Sequence, residues 1–419
     1  MRLHIKNARV VDPATGKDAS GDVFAVDGKI SPEGGKADRV IDAKGLVVAP
    51  GLIDLSARLR EPGYEYKATL ESEMDAAVAG GVTSLACPPD TDPPLDEPGL
   101  VDMLRRRAKA LSRARVYPIG ALTVKLAGES LTEMGQLSDA GCIAFSQANA
   151  PLADTQVLWR ALQYAATFGY PVWLRAEDAG LAKGGVAHDG EIATRLGLPG
   201  IPPFAETIAL ATILELVRAT RARVHICRLS TAGAVELMRR AKEERLPVTC
   251  DVAVHHAHLC ELDLGYFDPH CRLEPPLRSQ RDRDALARAL ADGVVDCLCS
   301  DHTPVDEDGK HLPFAQAEPG ATGLELLLPL TLKWGQAQKL SLAATLARIT
   351  SEPARVLGIS SGRLAAGAPA DLVIFDPEAP FTVAPAKLRS QGKNTPFLGY
   401  ELAGQVRCTI VDGKVVYES

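Results

Sequence analysis

Between about residue 50 and residue 360, short apolar runs rich in Val, Ile and Leu alternate with longer segments of helical period. That alternation leaves few folds open. Eight runs can be counted: GLIDLSA (51–57), VTSLAC (82–87), RVYPIGA (115–121), CIAF (142–145), PVWLR (171–175), RVHICR (223–228), PVTCDV (247–252) and DCLCS (296–300). They lack the polar alternation of a half-exposed strand, as strands buried on both faces do. Helical segments fall between them at 69–79, 99–112, 155–168, 205–220, 232–244 and 283–291. Repeated strand and crossover units predict an α/β protein, a (β/α)8 TIM-type barrel over residues 50–363. In such a barrel the chemistry lies on the loops that follow each strand.

The two ends of the chain read differently. Residues 1–49 are turn-rich and β-like, punctuated by Asp12-Pro13, Asp27-Gly28 and Lys44-Gly45. Residues 364–419 carry the β patterns DLVIFDP and CTIVDGKVVYE around turns. Both termini are therefore expected to join in one small composite β-sandwich.

Bulk properties exclude several classes. Hydrophobic residues make up 46% and charged residues 24% of 419, with no apolar run long enough for a membrane span. The first residues, MRLHIKNARVVDPATGK, read as strand and turn and lack the pattern of a secretory signal. A net charge of −7 gives no reason to expect nucleic acid. Nine cysteines without a C-x-x-C pair fit buried thiols in a reducing compartment, so a cytoplasmic location is expected.

The stretch PGLIDLSARLREPGYEYKATL resembles the start of the dihydroorotase barrel, a branch of the amidohydrolase superfamily that also holds hydantoinases and allantoinases. Further similarities follow in the family's order: CPPDTDPP, FSQANAP, LRAED, HICRLST, CDVAVHH, LEPPLRS, SDHTP, GAPADLVIFDP and NTPFLGYELAGQVRCTIVDGKVVYE. The resemblance implies a binuclear zinc site at the barrel mouth, made by a His-x-His pair after the first strand, two later histidines and two aspartates. Zinc held by such ligands lowers the pKa of its bound water to about 7, which supplies the nucleophile.

At the matching positions this chain differs. Ser56 and Arg58 stand where the His-x-His pair would be, Gln147 replaces the bridging aspartate, and Arg175 and Arg228 replace the later histidines. Asp301 alone is kept. A guanidinium stays protonated and has no lone pair to offer, so three of the changes repel a dication. Arg60, which in the family would clasp a substrate carboxylate, is also kept. Asp90 and Glu274 replace asparagines, and Val305 replaces a histidine. The two added carboxylates, if left facing an anionic substrate, would cost on the order of several kcal/mol.

The resemblance therefore implies a dihydroorotase homologue without zinc and without catalysis. It further implies a partner, the aspartate carbamoyltransferase catalytic subunit, with which inactive homologues assemble in pyrimidine biosynthesis; an oligomeric state is expected. The three arginines and Asp301 together carry two positive charges in excess, as two dications and two aspartates do, and the arginines are expected to form a positive core that pairs with Asp301, with Glu177 as a further partner.

Alternatives remain open on the residues themselves. An atypical cyclic amide hydrolase would use Asp301 as base, and a sensor would use the arginines to hold an anionic metabolite. Asp301 and His302 are read as structural or as catalytic relics. His255, His256, His258, Cys260, His270 and Cys271 form a ligand-rich stretch without a recognised zinc spacing. Cys297 and Cys299 share one strand face and read as core thiols; Gly80-Gly81 reads as a helix-to-strand turn. The Gly-, Pro- and charge-rich loop 305–322 is expected to be mobile or ordered by a partner.

Overall fold

The computed structural model describes residues 1–419. Eight parallel strands form consecutively paired neighbours: β1 (Leu52–Asp54), β2 (Val82–Cys87), β3 (Arg115–Ala121), β4 (Ala144–Ser146), β5 (Val172–Leu174), β6 (Val224–Ile226), β7 (Val248–Ala253) and β8 (Cys297–Cys299). Each overlaps one of the eight apolar runs, β4 and β7 extending one residue past theirs. The ring closes just beyond β1 and β8, where His302 N donates to Ser56 O at 3.0 Å and Arg58 N donates to His302 O at 2.9 Å. Lower on the same seam, Ile53 N donates to Ile349 O and Leu298 N to Arg348 O, so a later segment of chain fills the gap.

Side chains alternating along the strands fill the barrel interior, among them Ile53, Ile119, Trp173, Cys297 and Cys299. All nine cysteines are free, and burial pushes several of their thiols up, Cys87 and Cys142 to about 12. A larger core of 79 buried residues lies mainly between the strands and the surrounding helices. Those helices begin where the sequence offers caps: Thr69 accepts from Ser72 N, Asp154 from Gln156 N and Val157 N, Thr231 from Ala234 N, and Ser279 from Asp282 N. The last of these starts at Gln280, three residues before the apolar period becomes visible. Gly81 turns the first helix into β2 at φ +82°, and a Cβ there would lie 2.7 Å from Val373 Cγ2. No helix is long and apolar enough to cross a membrane.

The termini meet in a single hydrogen-bonded sheet of eight strands around a separate core of 15 residues. Strand Arg2–Asp12 pairs along one edge with Lys17–Val26; along the other it pairs first with Arg39–Asp42 and then with Val47–Pro50. Val47–Pro50 pairs antiparallel with Leu372–Thr382, which joins the two ends of the chain. The composite β domain expected from the two termini is thus present, its strands linked as one sheet that forks where Arg2–Asp12 changes partner midway. Between its C-terminal strands the chain returns to the barrel. Asn394 Nδ2 donates to Thr303 O and Gly320 O, its Oδ1 accepts from Val305 N, and Ser390 and Gln391 donate to Glu73.

Loop 305–322 is tied down within the chain. Its short helix, Glu307–His311, is capped by Asp306, and Lys310 Nζ donates to three carbonyls: Pro269 at 3.0 Å, Arg272 at 3.3 Å and Glu318 at 2.7 Å. Lys67 pairs with Glu318 from the opposite side. Replacing Lys310 with methionine removes all three donors and is expected to cost about 1–3 kcal/mol. The readout is a lower urea midpoint with faster amide exchange confined to 305–322 and its 269–272 support.

Candidate functional site at the barrel mouth

The loops that follow β1, β5 and β6 bring Arg58, Arg175 and Arg228 to the mouth, and the loop after β8 brings Asp301. Arg58 and Arg228 are buried there, and the Arg175 side chain is only 6% exposed. Asp301, at φ +46°, turns its carboxylate into the centre. Its Oδ1 accepts from Arg58 Nη1 at 3.2 Å, Arg228 Nη1 at 3.0 Å and Ser56 Oγ at 3.3 Å. Arg58 continues outward, donating through Nε to Asp90 Oδ2 at 2.7 Å and through Nη1 to Thr303 Oγ1 at 3.0 Å. Arg228 also reaches Asn149 Oδ1 and Glu274 O, while its backbone N–H donates to Asp251 Oδ1 at 2.7 Å. Arg175 bridges Glu274 and Glu177.

Two expectations change here. Asp90 and Glu274 are not unpaired carboxylates left to repel a substrate; they are the counter-ions of Arg58 and Arg175. The mouth consequently has no excess of two positive charges, since three guanidiniums face Asp301, Asp90, Glu274 and Glu177. Burial favours the neutral form of each group, and close opposite charges reverse that preference. Burial pulls Arg58 down, yet Asp90 and Asp301 raise it above its ordinary value despite the nearby Arg228. Burial likewise pushes Asp90 and Glu274 up, and Arg58 and Arg175 respectively bring them below the usual carboxylate range.

The remaining predicted residues sit around this network. Gln147 stands apart from the arginines: its Oε1 accepts from Thr123 Oγ1 and its Nε2 donates to Leu126 O, at 2.9 and 2.8 Å. Arg60, at φ +62°, donates through Nε to Pro304 O and lies over the Tyr64 ring. Burial and Arg58 lower its pKa. Val305 is buried and contributes its backbone N–H to Asn394. His302 points away from the mouth, its Nε2 donating to Glu73 Oε2 at 2.6 Å and its Nδ1 accepting from Gly323 N at 3.1 Å. A cavity of about 390 Å³ opens beside the network, bounded by Gln147, Asn149, Arg175, Glu177 and Glu274.

Sequence reasoning missed Asn149, Thr303 and Asp251. Each is a polar residue near the C-terminal end of a barrel strand, which is the signal that could have found them. The ligand-rich stretch from His255 to Cys271 is not gathered into a site. His256 Nε2 donates to Pro276 O, His258 Nε2 to Leu330 O, and Cys271 Sγ to Asp263 O. The side chains that do converge are His225, Cys227 and Asp251, with ligand atoms within 4.8 Å of one another. His225 is already engaged through Nδ1 with Thr249 and through Nε2 with Asp251.

Residues 45–234 match a family model described as dihydro-orotase-like, and residues 197–417 match one described as amidohydrolase family. Relatives agree along the whole chain. A dihydroorotase-like protein of Pseudomonas aeruginosa is 46% identical, with all of both chains covered. The chain belongs to the dihydroorotase-like branch of the amidohydrolase family. A dihydroorotase of Syntrophotalea carbinolica is 42% identical over all of this chain and 99% of its own. Among solved structures, the L-hydantoinase of Arthrobacter aurescens superposes with a TM-score of 0.88 at 25% identity, covering 99% of this chain and 96% of that one.

Amidohydrolases of this kind usually bind metals, and the donor set of this dihydroorotase-like mouth does not fit them. Asp301 presents its carboxylate to two guanidiniums. Its other oxygen lies 4.0 Å from His255 Nε2. A dication placed beside Asp301 would displace both arginine contacts and face their charges, with too few N, O or S donors for a tetrahedral shell.

Proposed function

We propose that this chain is a non-catalytic member of the dihydroorotase-like family, carrying neither zinc nor ring hydrolysis. Its role is structural: it supports the assembly of an aspartate carbamoyltransferase complex in the cytoplasm. One observation carries the first part, the shared acceptance by Asp301 of hydrogen bonds from Arg58 and Arg228. The three guanidiniums donate protons and cannot donate electron pairs, and the carboxylates beside them are engaged as their counter-ions, so the free imidazole and carboxylate donors needed to ionise a water near neutral pH are missing. The partner part rests on the family resemblance, which associates inactive homologues with the carbamoyltransferase.

The purified chain is expected to hold zinc at far less than one per chain by mass spectrometry and to leave dihydroorotate, allantoin and hydantoin uncleaved above background. Zinc near one or two per chain, together with turnover, would sink the non-catalytic reading. Mixed with the carbamoyltransferase catalytic chain of the same organism, it is expected to co-elute as a larger particle and to raise that enzyme's activity. Separate elution beside a fully active carbamoyltransferase would remove the partner assignment and leave the reading of the mouth untouched.

A further inference from the structure

A second charged concavity lies beside the start of β3, at the end of the barrel strands opposite the arginine mouth. Residues 105–115, RRRAKALSRAR, concentrate cations in a chain whose net charge is −7. Helix Pro98–Leu111 turns Arg107 toward Glu61 and presents its other basic residues to a groove of about 630 Å³. The opposite wall is the C-terminal hairpin. The apolar lining is Ala108, Ala114, Val116, Val411 and Val416, and the charged lining is predominantly basic, with Arg105, Arg106, Lys109, Arg113, Arg115 and Lys414 against Asp102 and Asp412. Arg113 pairs with Asp75 and Arg115 with Asp371 and Asp412. Arg106, Lys109 and Lys414 form no ion pair within the chain.

The hairpin adds an independent observation. Strand Lys414–Glu418 is the last of the terminal sheet and bonds only to Glu401–Val411, so its outer edge has no strand partner. Its sequence KVVYE has strong β propensity, and Val415, Val416 and Tyr417 are half-buried. An open edge of this kind is a template for an added strand, five residues or about 17 Å long. Lys414 and Val416 belong both to this edge strand and to the groove.

We propose that the groove and edge strand together dock an extended acidic segment of a partner protein. The segment would add main-chain hydrogen bonds to Lys414–Glu418, set apolar side chains on the valine floor and place carboxylates against Arg106, Lys109 and Lys414. Charge complementarity selects an acidic occupant over a second copy of this chain. Edge-to-edge pairing of two copies would bring both sets of unpaired cations toward one axis. The surface is separate from the mouth, and the proposal holds whichever way the mouth is read.

The test pans a displayed library of random peptides on the intact protein, then measures a selected peptide by fluorescence anisotropy and amide exchange. Selected sequences are expected to be rich in Asp and Glu, to bind more weakly as salt rises, and to slow exchange at 414–418. The exposed double substitution Arg106→Glu and Lys109→Glu is expected to weaken binding by about ten-fold or more, with no change in the thermal midpoint. Peptides without acidic bias, affinity unchanged by the double substitution, or protection elsewhere on the chain would each overturn the proposal. So would two other results: a concentration-dependent dimer dissolved by Lys414→Glu, which would assign the edge to a second copy, or tighter binding of single-stranded RNA through the same residues.

Discussion

Replacing Asp301 with alanine is expected to destabilise the chain by about 3–5 kcal/mol, because it leaves two buried guanidiniums facing each other without their shared counter-charge. Arg58 and Arg228 would then keep Asp90, Thr303, Asn149 and the Glu274 carbonyl as partners, but no carboxylate between them. Part of the alanine effect is backbone, since Asp301 sits at φ +46°, where aspartate and asparagine are favoured over alanine. Asp301→Asn separates the two contributions by keeping the conformation and deleting the charge. Urea unfolding at neutral pH measures both variants. Replacing Arg58, Asp301 and Arg228 together with apolar residues of similar volume is expected to recover most of the loss, since desolvation of the ions is removed along with their attraction. An Asp301→Ala variant within about 1 kcal/mol of the parent would show that the guanidiniums do not depend on this carboxylate.

The barrel was legible because its eight strands are covered on both faces, so burial writes a continuous apolar run and not an alternation. The helices between them were legible from their period and caps. Later crossovers were not: Leu327–Ala337, Leu342–Ala347 and Ser351–Leu357 are short and closely spaced, and no single period spans them. The return of residues 385–398 to the barrel was hidden for another reason. What holds Asn394 there is a set of side-chain hydrogen bonds to backbone groups of distant loops, which leave no periodic trace.

At the mouth, the sequence pointed to the arginines pairing with Asp301 and Glu177 but left Asp90 and Glu274 outside that network. Asp90 lies 32 residues from Arg58, and Glu274 lies 99 from Arg175. Only the closed barrel shows that an asparagine-to-aspartate change and a histidine-to-arginine change are two halves of one ion pair. Gln147 differs from the arginines. At the place of a lost ligand, it bonds to Thr123 and Leu126, since a neutral amide has no electrostatic reason to join the arginines.

Acid should unfold this chain steeply, and the cause lies in the histidines beside the mouth. His255 and His256 are buried, and burial, reinforced by Arg228 for the first and by His255 for the second, drives both down to about 3. Burial drives His258 to about 4, partly opposed by its bond to Leu330 O. All three are neutral in the folded chain, whereas in the unfolded chain each takes a proton near pH 6.5. Above pH 6.5 neither state binds these protons and their contribution to stability is constant. As pH falls from 6.5 toward 4 and then 3, the unfolded state binds up to three more protons than the folded one, so stability declines by as much as about 4 kcal/mol per pH unit. Urea midpoints measured between pH 7 and 5 are expected to drop accordingly, and His258→Gln, whose amide can still donate to Leu330 O, should reduce the slope by about one proton's worth. A midpoint unchanged across that interval would mean that the three imidazoles accept protons inside the fold.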